Sequence, residues 1–123
     1  MATRCNIIVK GKSCDKNVKA IIYRHCDGYP SCTGVELQDL LNKQSADYIN
    51  FDLFVNGLIT HESKSYEYTS SIHGDIEYLY TIDLTKRKIY VQTVGYDWEK
   101  SVQIFHKKQE LEKALKSFEK EVK

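Results

Sequence analysis

The stretch over residues 21–41 constrains the fold most, because an apolar run, a turn and an amphipathic segment follow one another in it without a spacer. Ile21 and Ile22 end a run that is typical of a strand. The next residues, Asp-Gly-Tyr-Pro at 27–30, supply turn chemistry, and the only proline of the chain lies here. Gly28 is expected to take a positive φ, while Pro30 fixes its own φ and favours an extended Tyr29.

The end of this stretch predicts a helix that runs to about residue 43. Thr33 and Glu36 have the spacing of a capping box, with Thr33 as the N-cap and Glu36 at the third helical position. Glu36 is then expected to face water. The apolar positions that follow recur on one helical face, as expected of a helix packed on a core: Leu37, Leu40 and Leu41.

The rest of the chain alternates between strand and helix patterns. Residues 4–10 and 18–25 predict an antiparallel hairpin around a polar turn at 11–17. Residues 45–59 predict a second helix, capped by Ser45 or Asp47 and weakened or ended by the Asn-Gly pair at 56–57. Its apolar spacing fits a helix better than a strand. If that pair instead makes a hairpin turn, the helix is wrong. The proposed face consists of Tyr48, Phe51, Phe54, Val55 and Leu58.

Period-two alternation dominates the second half. It predicts strands at residues 66–72, 76–83, 88–94 and 102–105, separated by polar or charged turns. From Gln109 a 4-3-4 apolar spacing predicts an amphipathic helix, which either packs on its own sheet or pairs two copies in a homodimer. We therefore expect an α+β fold with a mostly antiparallel sheet of five or six strands. Two helices follow the N-terminal hairpin, and all helices lie on one face.

Size and charge limit the function classes. The 123 residues suffice for one domain, over residues 1–123. Charged residues make up 28% of the chain, yet its net charge is only +1. This balance argues against direct DNA binding and against an acidic DNA mimic. The sequence has no apolar run of about 18 residues and no signal-peptide core, which predicts a cytosolic protein without a membrane partner.

Four cysteines, at positions 5, 14, 26 and 32, have no spacing typical of a zinc site. A cytosolic chain keeps such thiols reduced, so we expect four free cysteines and no disulfide. No cofactor is expected, and no motif for a nucleophilic enzyme or a phosphate-binding loop occurs.

Two polar clusters are candidate sites. Near the first turn, Arg24 and His25 precede a predicted helix N-terminus, which favours anion binding; a solvated corner is the alternative. The second cluster is His73, Asp75 and Glu77. With His25 and Asp27 it offers a metal or acid–base site, although ordinary turn chemistry explains it as well.

The same two segments carry a resemblance. Residues 23–30 match the pattern YRHxDGYP, and residues 73–83 match HGDIEYLYxID. Both motifs resemble a group of small phage- and prophage-encoded accessory proteins, mostly of unknown function, and the resemblance covers most of the first 85 residues. It implies a virus-encoded protein in the bacterial host cytoplasm, and such proteins often inhibit host immunity.

These observations lead to one functional hypothesis and one alternative. The hypothesis is a non-catalytic anti-defence protein, such as an anti-CRISPR protein, that binds a bacterial defence protein or its anionic nucleotide signal. The alternative is a small enzyme acting on a nucleotide through a His/Asp/Glu site. We expect both turns to share one binding surface. Its main contacts would be the planar guanidinium of Arg24, which can hold a carboxylate or phosphate at two points, and the flat ring of Tyr29. The expected binding residues are Arg24, His25, Asp27, Tyr29, His73, Asp75 and Glu77.

Overall fold

The structure is a computed structural model that describes residues 3–44 and 49–122, with side chains described as far as residue 116. In this described part of the chain, seven strands and three helices follow one another in the order ββααβββββα, and a π-helical turn, Pro30–Gly34, leads into the first helix. The strands are β1 (Cys5–Ser13), β2 (Lys16–Arg24), β3 (Tyr66–Thr69), β4 (Tyr78–Asp83), β5 (Lys88–Asp97), β6 (Val102–Phe105) and β7 (Gln109–Glu110). The helices are α1 (Val35–Asn42), α2 (Phe51–Ile59) and α3 (Leu111–Val122).

All seven strands belong to one mixed sheet with the order β3-β2-β1-β4-β5-β6, and β7 pairs with β5. The central pair β1–β4 is parallel, while the other pairs are antiparallel. The predicted α+β class with a mostly antiparallel sheet is confirmed, with one strand more than the upper expectation. The parallel pair was not predicted, because it joins strands separated by both helices of the first half.

The helices pack on one face of the sheet, as expected. Their apolar positions join alternate residues of the central strands in one core. The predicted faces of the first two helices are confirmed for their described members, which are buried or packed against that core: Leu37, Leu40, Leu41, Phe51, Phe54, Val55 and Leu58. The main buried residues are Ile7, Val9, Ile22, Leu37, Leu41, Phe54, Val55, Leu58, Tyr80, Ile82 and Leu111. Among the described residues, no helix has the length and apolarity needed to cross a membrane.

The hairpin between β1 and β2 is longer than predicted. Its turn contains only Cys14 and Asp15, at φ values of 50° and 62°. Positive φ at both central positions gives a turn whose twist matches that of the strands. Gly11 belongs to β1 rather than to the turn. An added Cβ there would lie 3.2 Å from Phe51 and 3.3 Å from Leu84. The side chains of Phe51 and Leu84 thus pack directly against the strand, which continues beyond its last apolar residue.

Two predictions about the corner after β2 are wrong. Thr33 is not the N-cap of α1: the cap position is Gly34, without a side-chain hydrogen bond. The Thr33 hydroxyl instead donates to the Asp27 carbonyl at 2.6 Å. The glycine prediction fails too, since the positive φ of 54° belongs to Asp27 and no described glycine has one. Gly28 is needed for space: an added Cβ would lie 3.0 Å from the backbone of Thr3 and Arg4. Tyr29 is extended, as predicted.

Helix α2 confirms the helical prediction but not its ends. It begins after Asn50, whose side-chain oxygen accepts a hydrogen bond from the Leu53 N–H at 3.0 Å. The predicted caps Ser45 and Asp47, and Tyr48, lie outside the described residues. The Asn-Gly pair at 56–57 lies inside the helix, because the buried Val55 and Leu58 hold both sides of it on the core.

In the second half of the chain, the structure differs from the prediction mainly in where the strands begin and end. β3 is shorter and β4 starts later than predicted, because residues 70–77 form a loop across the sheet face opposite the helices. There Ile72 and Ile76 pack with Tyr23 and Leu79 in a smaller core. β5 runs to Asp97, three residues further than predicted, and β6 has its predicted bounds. α3 begins two residues late, since Gln109–Glu110 pairs with β5.

Candidate functional site

The two sequence motifs meet at one end of the sheet, which we call the motif end. There β1 and β4 begin and β2 ends, with Cys5 paired to both Arg24 and Tyr78. Neighbouring residues in a strand point to opposite faces, so Tyr23 and Arg24 lie on different sides of β2. The motif end therefore consists of a cluster on the helix face and another on the opposite face.

On the helix face, Arg24 lies at the centre of a buried polar cluster. It is 2% exposed. Its Nη1 donates to Thr33 Oγ1 at 2.7 Å and to Tyr66 OH at 3.0 Å, and its Nε donates to Ser65 Oγ at 2.8 Å. The guanidinium carbon also lies 4.5 Å from the centre of the Tyr66 ring. A side chain buried in this way serves the fold and presents no surface to a partner.

Glu36 supplies the negative charge of this cluster. Its Oε1 lies 3.3 Å from Arg24 Nη1 and accepts a hydrogen bond from Tyr66 OH at 2.9 Å. Cys32 Sγ donates to its other oxygen at 3.3 Å. Burial alone would raise the pKa of Glu36, but the hydrogen bonds from Tyr66 and Cys32 and the charge of Arg24 outweigh it and lower that pKa. The expectation that Glu36 faces water is thus wrong.

His61 extends the cluster towards solvent. Its Nε2 lies 3.5 Å from Glu36 Oε1, and its Nδ1 lies 2.9 Å from Ser63 Oγ. Sequence reasoning missed Glu36, His61 and Tyr66 as members of one group. A pattern search has no signal for it, because Tyr66 is 42 residues from Arg24 and its role depends on the pairing of β2 with β3.

On the opposite face, the loop at residues 70–77 is fastened to the sheet. The rings of Tyr23 and His73 stack with centroids 3.8 Å apart, and Tyr23 OH donates to Asp75 Oδ2 at 3.0 Å. Arg4 Nε lies 3.2 Å from the same carboxylate oxygen. Burial, followed by the hydrogen bond with Asp75, raises the pKa of Tyr23. His73 and Asp75 thus hold the loop in place.

The backbone of this loop is fixed as well. Asn6 is fully buried, and its side-chain oxygen accepts a hydrogen bond from the His73 N–H at 2.8 Å. Its amide donates to the Ile22 carbonyl at 2.9 Å. A further contact joins the two motifs directly, since Tyr80 OH donates to the Gly28 carbonyl at 2.7 Å. These contacts give a structural reason for many of the residues in both motifs.

The seven predicted binding residues therefore have different surroundings. Arg24 is buried in the helix-face cluster, and His73 and Asp75 contact Tyr23 on the other face. Asp75 is nevertheless exposed, and so are the remaining four: His25, Asp27, Tyr29 and Glu77. Within the described residues, no group of three or more His, Cys, Asp and Glu side chains has metal-binding geometry.

The four cysteines are free thiols, as predicted. Cys5 is buried beneath the corner, and burial raises its pKa to about 12. Burial and the hydrogen bond with Glu36 also raise the pKa of Cys32. A raised pKa disfavours the thiolate, so neither group is activated as a nucleophile.

A third feature extends past the motif end. The last part of β5 pairs with β6 beyond the end of β4, and we call residues 94–105 the aromatic arm. Trp98 at its tip is 82% exposed, and the Tyr96 ring lies 4.5 Å from it. The other exposed apolar side chains of the arm are Val102, Ile104 and Phe105.

The aromatic arm is attached to the motif end. The Val94 N–H donates to the Glu77 carbonyl at 2.8 Å, and the Gln103 amide donates to the His73 carbonyl at 2.9 Å. β6 lies at the edge of the sheet, and no strand of the described part of the chain pairs with its outer side. An unpaired edge flanked by large apolar side chains is a surface on which another protein can dock.

Comparison of the chain with protein-family models, with curated proteins and with solved structures found no match.

Proposed function

We propose that this chain is a non-catalytic, phage-encoded inhibitor of bacterial immunity that acts in the host cytoplasm by binding a defence protein. The single observation that carries the binding role is Trp98, which is 82% exposed at the tip of a sheet-edge hairpin. Tryptophan is among the residue types most enriched among side chains that dominate protein–protein affinity. The origin and the inhibitory role are supported by the resemblance of the two motifs alone.

The surroundings of the aromatic arm indicate the chemistry of its partner. Exposed charges of both signs border the arm: Glu77 lies near its base, Glu99 and Lys100 lie at its tip, and the Arg4–Asp75 ion pair lies beside it. Apolar side chains with a charged rim are typical of a protein–protein interface. We propose that the arm enters an apolar pocket or groove of the defence protein and blocks the surface around it.

The enzymatic alternative has less support. It requires His25, Asp27, His73, Asp75 and Glu77 to act on one substrate. Two of these side chains, His73 and Asp75, already contact Tyr23 within the fold. The exposed carboxylates of Asp27 and Glu77 remain as its testable members.

Phage plating tests the proposal. The chain is expressed in bacterial strains that each carry one defined defence system, and phage are plated on them. We expect wild-type protein to restore plating in at least one strain. Trp98→Ala should abolish this effect, since loss of a central tryptophan weakens an interface by about 2 kcal/mol or more. Tyr68→Ala is the matched control, because Tyr68 is 62% exposed on β3, at the other edge of the sheet.

The outcomes separate the alternatives. Full restoration of phage plating by folded Trp98→Ala would remove the arm from the mechanism. Loss of restored plating in Asp27→Asn or Glu77→Gln, with Trp98→Ala still active, would favour the enzyme. Failure of wild-type protein to restore plating on any strain of a broad panel would contradict the inhibitory function itself. Circular dichroism and thermal melting of each variant establish that it is folded.

A further inference from the structure

The far end of the sheet from the motifs carries a cluster of lysines that the functions above do not use. We call it the lysine end: β1 and β4 end there, and β2 and β5 begin. Lys10 and Lys19 are direct partners across β1 and β2, and Asp83 is the partner of Lys10 on β4. Residues that pair in register share a face, so these side chains lie together on the face opposite the helices.

The lysines surround a cleft. Its volume is about 480 Å³, within the usual range for small-molecule sites, and its lining includes four lysines and one aspartate. Lys12 follows Lys10 on the same face, and Lys86 approaches from the turn between β4 and β5. Asn17 and Thr85 add neutral polar groups.

Charge in this cleft is poorly balanced. Among the described residues, no carboxylate lies within salt-bridge distance of the ammonium groups of Lys10, Lys19 or Lys86. Asp83, the one acidic residue among the described residues of the lining, accepts a hydrogen bond from the Lys86 backbone N–H at 3.1 Å. Like charges directly opposite in a sheet destabilise it, so Lys10 and Lys19 carry a cost that a bound anion would offset.

We propose that this cleft binds a phosphate-bearing anion, with Lys10, Lys19 and Lys86 contacting at least two phosphate groups of one ligand. Lysine is a compact point charge suited to phosphate oxygens. Among the described residues, no aromatic ring lines the cleft, so bases have no stacking surface there. The cleft thus contacts the phosphate groups of a nucleotide rather than its base. Such phosphates occur in free nucleotides and in the backbone of a nucleic-acid strand.

Titration calorimetry on the full chain tests this inference. The probes are inorganic tripolyphosphate, ATP and a short single-stranded oligonucleotide, each at low and at physiological salt. We expect tripolyphosphate and ATP to bind at one site with similar affinity, weakening as salt rises. Tighter binding of the oligonucleotide would assign the phosphates to a nucleic-acid strand; tighter binding of ATP and tripolyphosphate would assign them to a free nucleotide.

Variants locate the site. Lys10→Ala with Lys19→Ala should weaken tripolyphosphate binding about tenfold or more, and the corresponding pair of Arg substitutions should retain it. Lys43→Ala with Lys116→Ala is the matched control, because it removes the same charge from exposed lysines elsewhere, one directly after α1 and one in α3. If the control weakens tripolyphosphate binding equally, the loss of affinity reflects net charge alone, and the proposed site is wrong.

Two further results would also overturn it: no binding of any probe at low salt, or ATP binding far more tightly than tripolyphosphate. The inference is independent of the docking proposal, since the aromatic arm extends from the opposite end of β5. Trp98→Ala should therefore leave phosphate binding unchanged.

Discussion

The two ends of the β1–β2 pair use cationic side chains in opposite ways. At the motif end, Arg24 is 2% exposed and contacts Glu36 and Tyr66. At the lysine end, Lys10 and Lys19 face each other in solvent without a salt bridge among the described residues. A buried cation needs partners fixed by the fold, whereas an exposed cluster stays available to a ligand. The difference shows that Arg24, the expected anchor of the predicted site, is bound within the protein, and that lysines outside both motifs are the exposed cations.

The largest effect expected from this contrast is the loss of Arg24. Arg24→Met keeps most of the side-chain length but leaves Glu36 without its cation, which should cost about 3 kcal/mol of unfolding free energy. Lys19→Met is the matched control in the same strand and should stay within about 0.5 kcal/mol, because Lys19 is exposed. Urea denaturation of both variants measures the difference. Equal shifts of their midpoints would contradict the assignment of different roles to the two ends.

A second, smaller effect concerns the packing of the motif end. Gly28→Ala should destabilise by about 2 kcal/mol, because the added Cβ lies 3.0 Å from Thr3, Arg4 and Cys5 atoms that are held by the sheet. Gly74 provides the comparison, since a Cβ there meets no described atom within 4 Å and its φ is not positive. Gly74→Ala should therefore change stability by no more than about 0.5 kcal/mol. Thermal or urea melts that rank the two substitutions the other way would show that the corner tolerates a side chain.

The smallest of the three effects depends on pH. The Glu36 pKa is lowered in the folded state, so its charged form stabilises the protein above the ordinary carboxyl pKa. That contribution is lost as the pH falls through the lowered pKa. Glu36→Gln should thus be less stable than wild type by about 1 kcal/mol at neutral pH, and the gap should close in acid.

Chemical denaturation from neutral to acidic pH measures this gap. Asp39→Asn serves as the control, because Asp39 is an exposed carboxylate on the same helix and should show no comparable closing of the gap. A Glu36→Gln difference that persists unchanged in acid would mean that shape, rather than charge, holds the helix-face cluster together.

Much of the fold followed from local patterns. Alternation predicted the hairpin and the bounds of β6, and the 3.6-residue period predicted the buried faces of α1 and α2. The errors lie where tertiary contacts compete with local rules. Thr33 has the spacing of an N-cap, yet its hydroxyl bonds to Asp27 because the π-helical turn shifts the helix start to Gly34. Gly28 has turn neighbours, yet its role is close packing on β1.

The candidate site, too, was predictable from the sequence only in part. The sequence indicated that the two motifs belong together, and Tyr23 does contact both His73 and Asp75. It did not indicate that Arg24 points to the other face, into contact with Tyr66. Where the structure has the aromatic arm, the sequence predicted only a turn between strands at residues 88–94 and 102–105. The lysine cleft had no sequence signal, because its residues come from three strands and one turn.

By itself, the sequence determined the elements of this protein: the period of its apolar residues fixes which segments are strands or helices and which faces they bury. Only the tertiary structure decided which polar side chains form hydrogen bonds or ion pairs within the protein and which remain exposed to solvent. The reason is distance along the chain, since Tyr23 meets Asp75 across 52 residues and Arg24 meets Tyr66 across 42. Such pairs depend on strand order and register, including the parallel pairing of β1 with β4. Local propensity carries no information about that pairing, whereas burial and hydrogen bonding across the assembled sheet select it.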